Sequence, residues 1–485
     1  MDHKPTTMTT RREFLKTTSV LAVGSGLAGS AVSALAADGF VSLRPAPAKR
    51  TFTSVAVDKK IAEIKALIAD PEVGWLFENC YPNTLDTTVD FEVIDGKPDT
   101  FVITGDIDAM WLRDSTCQVW PYMPLVHDDQ ALRDMIRGLV RRQTKCVLLD
   151  PFANAFYKDV ARVSEWSSDR PKIKPGVHER KWEVDSLCYV VRLAHEYFRI
   201  TGDASVFDAD WDKAMRLIVA TFRTEQRKDG QTPYRFIRTT NRMTDAPVYE
   251  GTGMPIRPVG MICSMFRPSD DATVLPFLVP SNLFAVQVLR QLAGIYTSAV
   301  KEPGFAAECT AFADEVEQAT RKWGIASHLD FGEIYAYEAD GFGNHLFIDD
   351  ANVPSLMSLG YLGIHPPDDP LYQRTRRFLV SESNPWYLRG KAAEGSGSPH
   401  TGKEGIWPMG IILRALTSRD EAEVLHCLHM LKATHAGTGF MHESFHKDNP
   451  ADFSRKWFAW ANTLFGELIL KVHKDFPALL QKNPV

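Results

Sequence analysis

Apolar residues recur at three- and four-residue intervals from Val57 to Ala69, Leu132 to Val147, Val184 to Phe198, Trp211 to Phe222, Asn282 to Tyr296 and Phe305 to Trp323. That spacing lays one apolar stripe along each helix, and a stripe must be buried against another element. The same pattern continues over Asn352 to Leu362, Leu371 to Val380, Gly405 to Leu416, Arg419 to Thr434 and Phe453 to Val472, with loops rich in Pro, Gly, Asp and Ser between. Alternating stretches are few: Thr51 to Val57, Asp90 to Val93 and the aromatic run Ile334 to Phe347 are the expected strands. No βαβ rhythm is present. The expected fold is all-α, built of paired helical hairpins with short strand insertions in the loops. Successive antiparallel pairs can close into a six-hairpin ring, the (α/α)6 barrel, whose loops at one end build a concave site.

The N-terminus carries an address. Thr10 to Lys16 reads T-R-R-E-F-L-K, followed by an Ala- and Gly-rich run from Val20 to Val32 and by Ala34-Leu35-Ala36. Paired arginines, a mildly apolar middle and an A-x-A site make a twin-arginine export signal over residues 1–36, with cleavage after Ala36. The apolar run is shorter than the roughly 20 residues a membrane span needs. The mature chain, 37–485, is expected to be a single catalytic domain in the periplasm or outside the cell, free of the membrane. Its roughly 450 residues, in a chain 44% hydrophobic and 11% aromatic, are enough for a large core.

Charge and cysteine usage exclude several function classes. The formal charge of -6 becomes about -8 without the signal, which holds four Lys/Arg and two Asp/Glu, so nothing basic is offered to nucleic acid. Folded export often serves redox proteins. Yet the chain has no G-x-G-x-x-G after a strand, no P-loop and no closely spaced cysteine set. Its seven cysteines, Cys80, Cys117, Cys146, Cys188, Cys263, Cys309 and Cys427, are scattered and odd in number. Buried thiols are expected rather than a disulfide framework.

Two chemistries compete for Gly437 to Asn462, GTGFMHESFHKDNPADFSRKWFAWAN. His442-Glu443-Ser444-Phe445-His446 is H-E-x-x-H, which on a helix sets two imidazoles on one face to bind zinc beside a general-base glutamate. Gly437 and Gly439 before it and Asn449-Pro450 after it leave room for barely two turns. The other reading is a loop glutamate that activates water in a carbohydrate site.

Further unusual residues sit in the loops between helices, where function concentrates. Gly105 to Ser115, GDIDAMWLRDS, crowds Asp106, Asp108 and Asp114 beside Trp111 and Arg113. Helix capping accounts for Asp114 or Ser115 but not for Trp111 and Arg113 as well. Sugar sites use that mixture, with aromatic planes against pyranose C–H faces and Asp/Arg pairs on vicinal hydroxyls. His178 to Asp185, HERKWEVD, precedes a helix whose dipole favours Glu183 and Asp185 whether or not a ligand is near. Met265 to Ala272, MFRPSDDA, follows a Pro/Gly-rich loop, and its adjacent carboxylates make either a solvated turn or a buried general acid with a raised pKa. The glycine-rich loop Gly395 to Gly405 leads into Trp407-Pro408.

Together TGDIDAMWLRDS, HERKWEVDS, MFRPSDDA, DDANVPS at Asp349 to Ser355, GIWPMG and HESFHKDNPADFSRKWFAWAN resemble glycoside hydrolase family 125, over nearly the whole mature chain and in one order. The resemblance implies an exo-α-1,6-mannosidase of (α/α)6 fold that inverts configuration and uses neither metal nor cofactor. It implies Glu443 as general base and an aspartate of RPSDDA as general acid. Asp270 is chosen over Asp271, although the two point in different directions and sequence does not say which reaches the glycosidic oxygen. Arg113 and Asp114 resemble the pair holding the terminal mannose. Trp111, Asp106, Asp108, His178, Glu179, Asp271, Asn352 and Trp407 are the expected companions. The expected partners are α-mannoside glycans, and the enzyme is expected to act as a monomer.

Overall fold

Aspartates start many of the helices in the computed structural model, which describes residues 39–481. Asp70, Asp129, Asp208, Asp369 and Asp420 each accept a backbone N–H of the first turn of Pro71–Cys80, Gln130–Leu149, Ala209–Glu225, Pro370–Leu379 and Glu421–Thr434. Each such cap contributes about 1 kcal/mol by pairing a donor the helix leaves over. The export signal expected at 1–36 lies outside the described residues. Leu43–Val485 make one unit, and of the separate stretch Met1–Ser42 only residues 39–42 are described.

Two kinds of helix alternate. Pro303–Trp323 buries Phe305, Cys309, Phe312 and Val316 on one stripe and exposes Glu308 and Asp314 on the other side. Leu112–Val119 is instead buried at every position, and so are the N-terminal halves of Val184–Thr201, Val279–Ile295, Pro408–Leu416 and Ala459–Asp475. These buried helices pack on one another: Leu112–Val119 lies against Val184–Thr201 and Ala459–Asp475, Val184–Thr201 against Val279–Ile295, and Pro408–Leu416 against Ala459–Asp475. Amphipathic helices back them, Pro303–Trp323 on Val279–Ile295 and Glu421–Thr434 on Pro408–Leu416.

The protein is mostly helical, but it holds more sheet than expected. A five-stranded antiparallel sheet joins Tyr387–Arg389, Glu394–Ser398, Gly402–Ile406, Ser444–His446 and Asn449–Ser454 in that order. It takes Gly405 and Ile406 from one expected helix and Phe453 and Ser454 from another, so those helices begin later, at Pro408 and Ala459. Strand and helix share apolar runs at these junctions, and periodicity does not separate them. Asp90 to Val93 is a strand as expected, within Val89–Ile94. Ile334 to Phe347 divides among Gly332–Tyr335, Glu338–Ala339 and His345–Leu346, in two different small sheets.

Two expectations fail outright. Asn352 to Leu362 is no α-helix; it is a run of bends with one 3-10 turn, Met357–Leu359. Pro354 supplies no N–H, the Asp349 carboxylate accepts Leu356 N and Met357 N at 2.9 and 3.1 Å, and Ser355 and Ser358 bond each other's backbone. Side-chain bonds thus replace the helical ladder. Thr51 to Val57 is not a strand either. Its first residues bond the backbone of Leu85 and Asp86, and Ser54 then caps a helix from Val55. All seven cysteines are buried free thiols, as expected.

Burial also leaves titratable groups in the core. Burial raises Glu467, bonded by the Tyr361 hydroxyl at 2.9 Å, to a pKa of about 7. A carboxyl raised in the folded state contributes stability that is complete below its unfolded pKa and lost as pH rises through about 7. Glu467→Gln is therefore expected to gain thermal stability relative to the parent between pH 5 and pH 8, read as melting temperatures at both. An unchanged difference between the two would refute a neutral Glu467.

Candidate active site

The buried helices direct their N-termini to one set of polar residues. Arg113 and Asp114 open Leu112–Val119, Glu183 and Asp185 open Val184–Thr201, Ser281 opens Val279–Ile295, Trp407 precedes Pro408–Leu416, and Trp460 opens Ala459–Asp475. Helix N-termini carry partial positive charge, which favours the carboxylates gathered there.

Arg113 is the centre of the first cluster. Its guanidinium meets Glu183 at 2.5 Å, Asp185 at 3.3 Å, Asp270 at 3.4 Å and, through Nε, Asp114 at 3.5 Å. Arg113 is 3% exposed, so it meets these groups with little water between. Burial disfavours its charge, yet the four carboxyls outweigh that and raise its pKa well above the ordinary value. Burial pushes the carboxyls up in turn, Asp185 to about 6 and Glu183 well above the usual range, with Arg113 opposing.

The RPSDDA segment forms a tight turn, closed by Asp270 N to Arg267 O at 2.9 Å and Arg267 N to Asp271 O at 2.8 Å. Asp270 adopts a left-handed φ of 67°, a region Asp tolerates better than most residues. The two aspartates consequently part. Asp270 Oδ1 accepts from Asn154 Nδ2 at 3.2 Å and lies near Arg113. Asp271 Oδ1 accepts from Arg242 at 3.1 Å and contacts His400 Nδ1 at 3.3 Å. Burial works to raise the Asp271 pKa, but His400, Arg242 and Lys181 outweigh it and lower the value. Lys181 donates to the Asp270 carbonyl at 2.8 Å and helps hold the turn.

Glu443 belongs to a second cluster. It directly precedes the short strand Ser444–His446, accepts from Ser454 Oγ at 3.1 Å and lies 3.5 Å from the Arg455 guanidinium. Arg455 also bonds Asp106. Gly105 brings that segment in: at φ 109° it pairs with Phe458, and a Cβ there would stand 3.1 Å from the Trp457 carbonyl oxygen.

The helical zinc face of the H-E-x-x-H string does not form. Its second half is a strand, His442 is fully buried and stacked on Phe453 at 3.7 Å, and burial lowers its pKa to about 4. The His442 ring nitrogens face the carbonyls of Arg455 and His435, whereas His446 accepts from Asp448 N. A motif reads as a metal site only on the backbone that aims its ligands.

The remaining expected residues spread around these clusters. Trp111 and Tyr157 flank His178 edge-on at 5.1 and 4.9 Å, and the Tyr157 hydroxyl meets His178 Nδ1 at 2.7 Å. Asn352 donates to Asp350, which also accepts from Ser269 and Ser398 and so ties the Asp270 turn to the five-stranded sheet. The Trp407 indole donates to Thr401 at 2.8 Å. Glu179 is held by Arg238 and Lys181; burial works to raise it, but those cations bring it down to about 2. Asp108 stands apart, exposed and paired with Arg162. Asn154, Lys181, Arg242, His400 and Arg455 complete the site without having been singled out. Lys181, His400 and Arg455 lie inside segments the sequence already marks, whereas Asn154 and Arg242 come from loops that carried no signal.

A protein-family model for the metal-independent α-mannosidases, glycoside hydrolase family 125, matches residues 70–470. The meiotically up-regulated gene 157 protein of Schizosaccharomyces pombe is 40% identical over 458 residues, covering 91% of this chain and 90% of that protein. A Streptococcus pneumoniae metal-independent α-mannosidase, solved in a non-productive complex with α-1,6-mannobiose, is 41% identical with a TM-score of 0.83, over 87% of this chain and 99% of that one. A glycosidase solved in complex with glucose, 13% identical, shares the fold alone at a TM-score of 0.50, over 87% of this chain and 98% of that one. The long motifs and the site they assemble therefore have a shared origin, and the chain belongs to glycoside hydrolase family 125, the metal-independent α-mannosidases.

Proposed function

We propose that the protein is an exo-acting α-1,6-mannosidase that works by single displacement with inversion, Asp270 as general acid and Glu443 as general base. The observation that carries this reading is the division of the two carboxyls between separate cationic groups, Asp270 on Arg113 and Glu443 on Arg455. Inversion needs a carboxyl on each face of the sugar, roughly 6.5–9.5 Å apart, with room for water on the base side. Asp271 is the poorer acid. Its lowered pKa leaves it ionised, without a proton to give.

In the proposed step Asp270 protonates the glycosidic oxygen as the bond from the anomeric carbon breaks. Glu443 takes a proton from the water that attacks the opposite face, and β-mannose leaves first. Arg113 and Asp114 hold the terminal sugar. Among the described residues the buried atoms Asp114 Oδ2, in ionic contact with Arg113, and Trp111 Nε1 have no hydrogen-bond partner, which suits them to sugar hydroxyls. The 1,6 linkage is favoured by the disaccharide bound to the pneumococcal relative. The successive packing of the buried helices, with residues 352–362 tied to Tyr189 and Gln287 where another would stand, supports an (α/α)6 barrel as the scaffold. Export through the twin-arginine route and action as a monomer on α-mannoside glycans belong to the same reading.

Time-resolved proton NMR of the mature protein with α-1,6-mannobiose in EDTA tests it. Initial β-mannose is expected. Initial α-mannose would refute inversion, and loss of turnover in EDTA with recovery on adding zinc or calcium would refute a metal-free step. No turnover under either condition would reject this substrate.

A further inference from the structure

Asp270 faces an electrostatic difficulty as an acid. A guanidinium 3.4 Å away favours its ionised form, whereas catalysis needs the proton in place. The surroundings contain the remedy. Asn154 Nδ2 reaches both Glu183 Oε1 at 3.3 Å and Asp270 Oδ1 at 3.2 Å, and Arg113 spans the same two residues, Glu183 by one terminal nitrogen and Asp270 by the other. Glu183 is fully buried and takes a further bond from Ser186 Oγ at 2.8 Å.

We infer that Glu183 is a positioning residue for the general acid: it forms with Asp270 a carboxyl pair that shares one proton across Arg113 and Asn154, keeping Asp270 in its acid form until the glycosidic oxygen takes the proton. The inference rests on the assignment of Asp270 made above.

Charge balance supports it. From Leu112–Val119, Arg113 and Asp114 face the pair; Asp185 faces it from the helix that Glu183 precedes; Lys181 and Glu179 approach from the preceding segment. Lys181 is already paired with Asp245 and Glu179, and Glu179 also with Arg238. Arg455 also favours the charge of Asp114. Among the described residues Arg113 touches Glu183, Asp185, Asp114 and Asp270 together, and burial disfavours four ionised carboxyls gathered on a single guanidinium. Protons make up the difference. Burial raises the Glu183 pKa well above the ordinary value, and Asp270 and Asp185 add to that while Arg113 opposes it. Neighbouring carboxyls of this kind titrate as a pair.

During turnover the Asp270 proton passes to the aglycone oxygen, which also receives the electrons of the breaking bond. The new Asp270 carboxylate is stabilised by Arg113 and Asn154, and a proton from solvent restores the pair.

Glu183→Gln tests this by the pH profile of kcat/KM on α-1,6-mannobiose and on 2,4-dinitrophenyl α-mannoside, whose leaving group departs unprotonated. Without the second carboxyl, Arg113 acts on Asp270 unopposed. The basic limb on mannobiose is expected to move down by about one pH unit, with little change on the dinitrophenyl substrate. Glu183→Asp, which keeps the charge, should hold the limb in place. A profile identical to the parent, or an equal loss at every pH and on both substrates, would overturn the inference. Should Glu183→Gln fail to fold, infrared titration of the parent and of Asp270→Asn decides. A buried protonated carboxyl at neutral pH that ionises at lower pH in Asp270→Asn is expected, and an unaltered titration rejects the pair. Asp270→Asn also separates the two claims. Full activity on mannobiose would sink the acid assignment itself, while selective loss on mannobiose beside a flat Glu183→Gln profile would sink only the pair.

Discussion

Glu443→Gln is expected to lose roughly 10²- to 10⁴-fold in kcat on α-1,6-mannobiose while binding the disaccharide about as tightly as the parent. The amide keeps the size of the side chain and an oxygen for the Ser454 hydroxyl, which donates to the carboxylate at 3.1 Å. It removes the capacity to accept a proton from water. Arg455 then loses one of its two carboxylate partners but keeps Asp106, so the local backbone is expected to stay in place. The measurement is kcat from steady-state kinetics beside a calorimetric dissociation constant. Activity near that of the parent would assign the base elsewhere, whereas loss of binding in proportion to rate would make Glu443 a ligand for sugar.

Arg113→Met carries the other large effect, on stability as well as rate. The substitution leaves Glu183, Asp185, Asp114 and Asp270 in a buried site without the guanidinium that touches all of them. Removing one member of such a buried set costs about 3–5 kcal/mol. The cost should depend on pH in a definite direction. With the cation gone, the folded-state pKa values of Glu183, Asp185 and Asp114 rise further above their unfolded values. Stability associated with their protonated forms is then present at acid pH and lost as pH rises through the raised values. Urea unfolding should therefore show a large deficit at pH 8 and a smaller one at pH 5, with hydrolysis of mannobiose abolished at both. An equal deficit at the two pH values would mean that packing of the Arg113 side chain, including its approach to the Trp460 ring at 6.0 Å, matters more than its charge.

The fold was legible where apolar residues recur at helical spacing, as in Pro303–Trp323 and Glu421–Thr434. It was less legible in Leu112–Val119, which is buried on all sides and contains Arg113, Asp114, Ser115 and Gln118, so its pattern looks like a polar loop. The segment 352–362 misled in the opposite sense. Its apolar residues are spaced as in a helix, but the bonds that decide its shape come from Asp349 and from serine pairs. The five-stranded sheet was missed because Glu394–Ser398 and Gly402–Ile406 are rich in glycine and gain their strand character from their neighbours.

Site chemistry divides along the same line. Long motifs with their unusual Trp, Arg and Asp content determined, without any coordinates, to which family the chain belongs. A side chain's type is written at its own position, and so is the local spacing that makes a helix. Its partners are not. That Asp270 turns toward Arg113 and Asp271 toward Arg242 depends on a left-handed backbone angle and on segments more than a hundred residues away, at Arg113 and His400. The companionship of Asp270 with Glu183 and the separation of His442 from any metal-binding face were decided only in the tertiary structure, because charge, desolvation and hydrogen bonding act across space between segments that the chain order keeps apart.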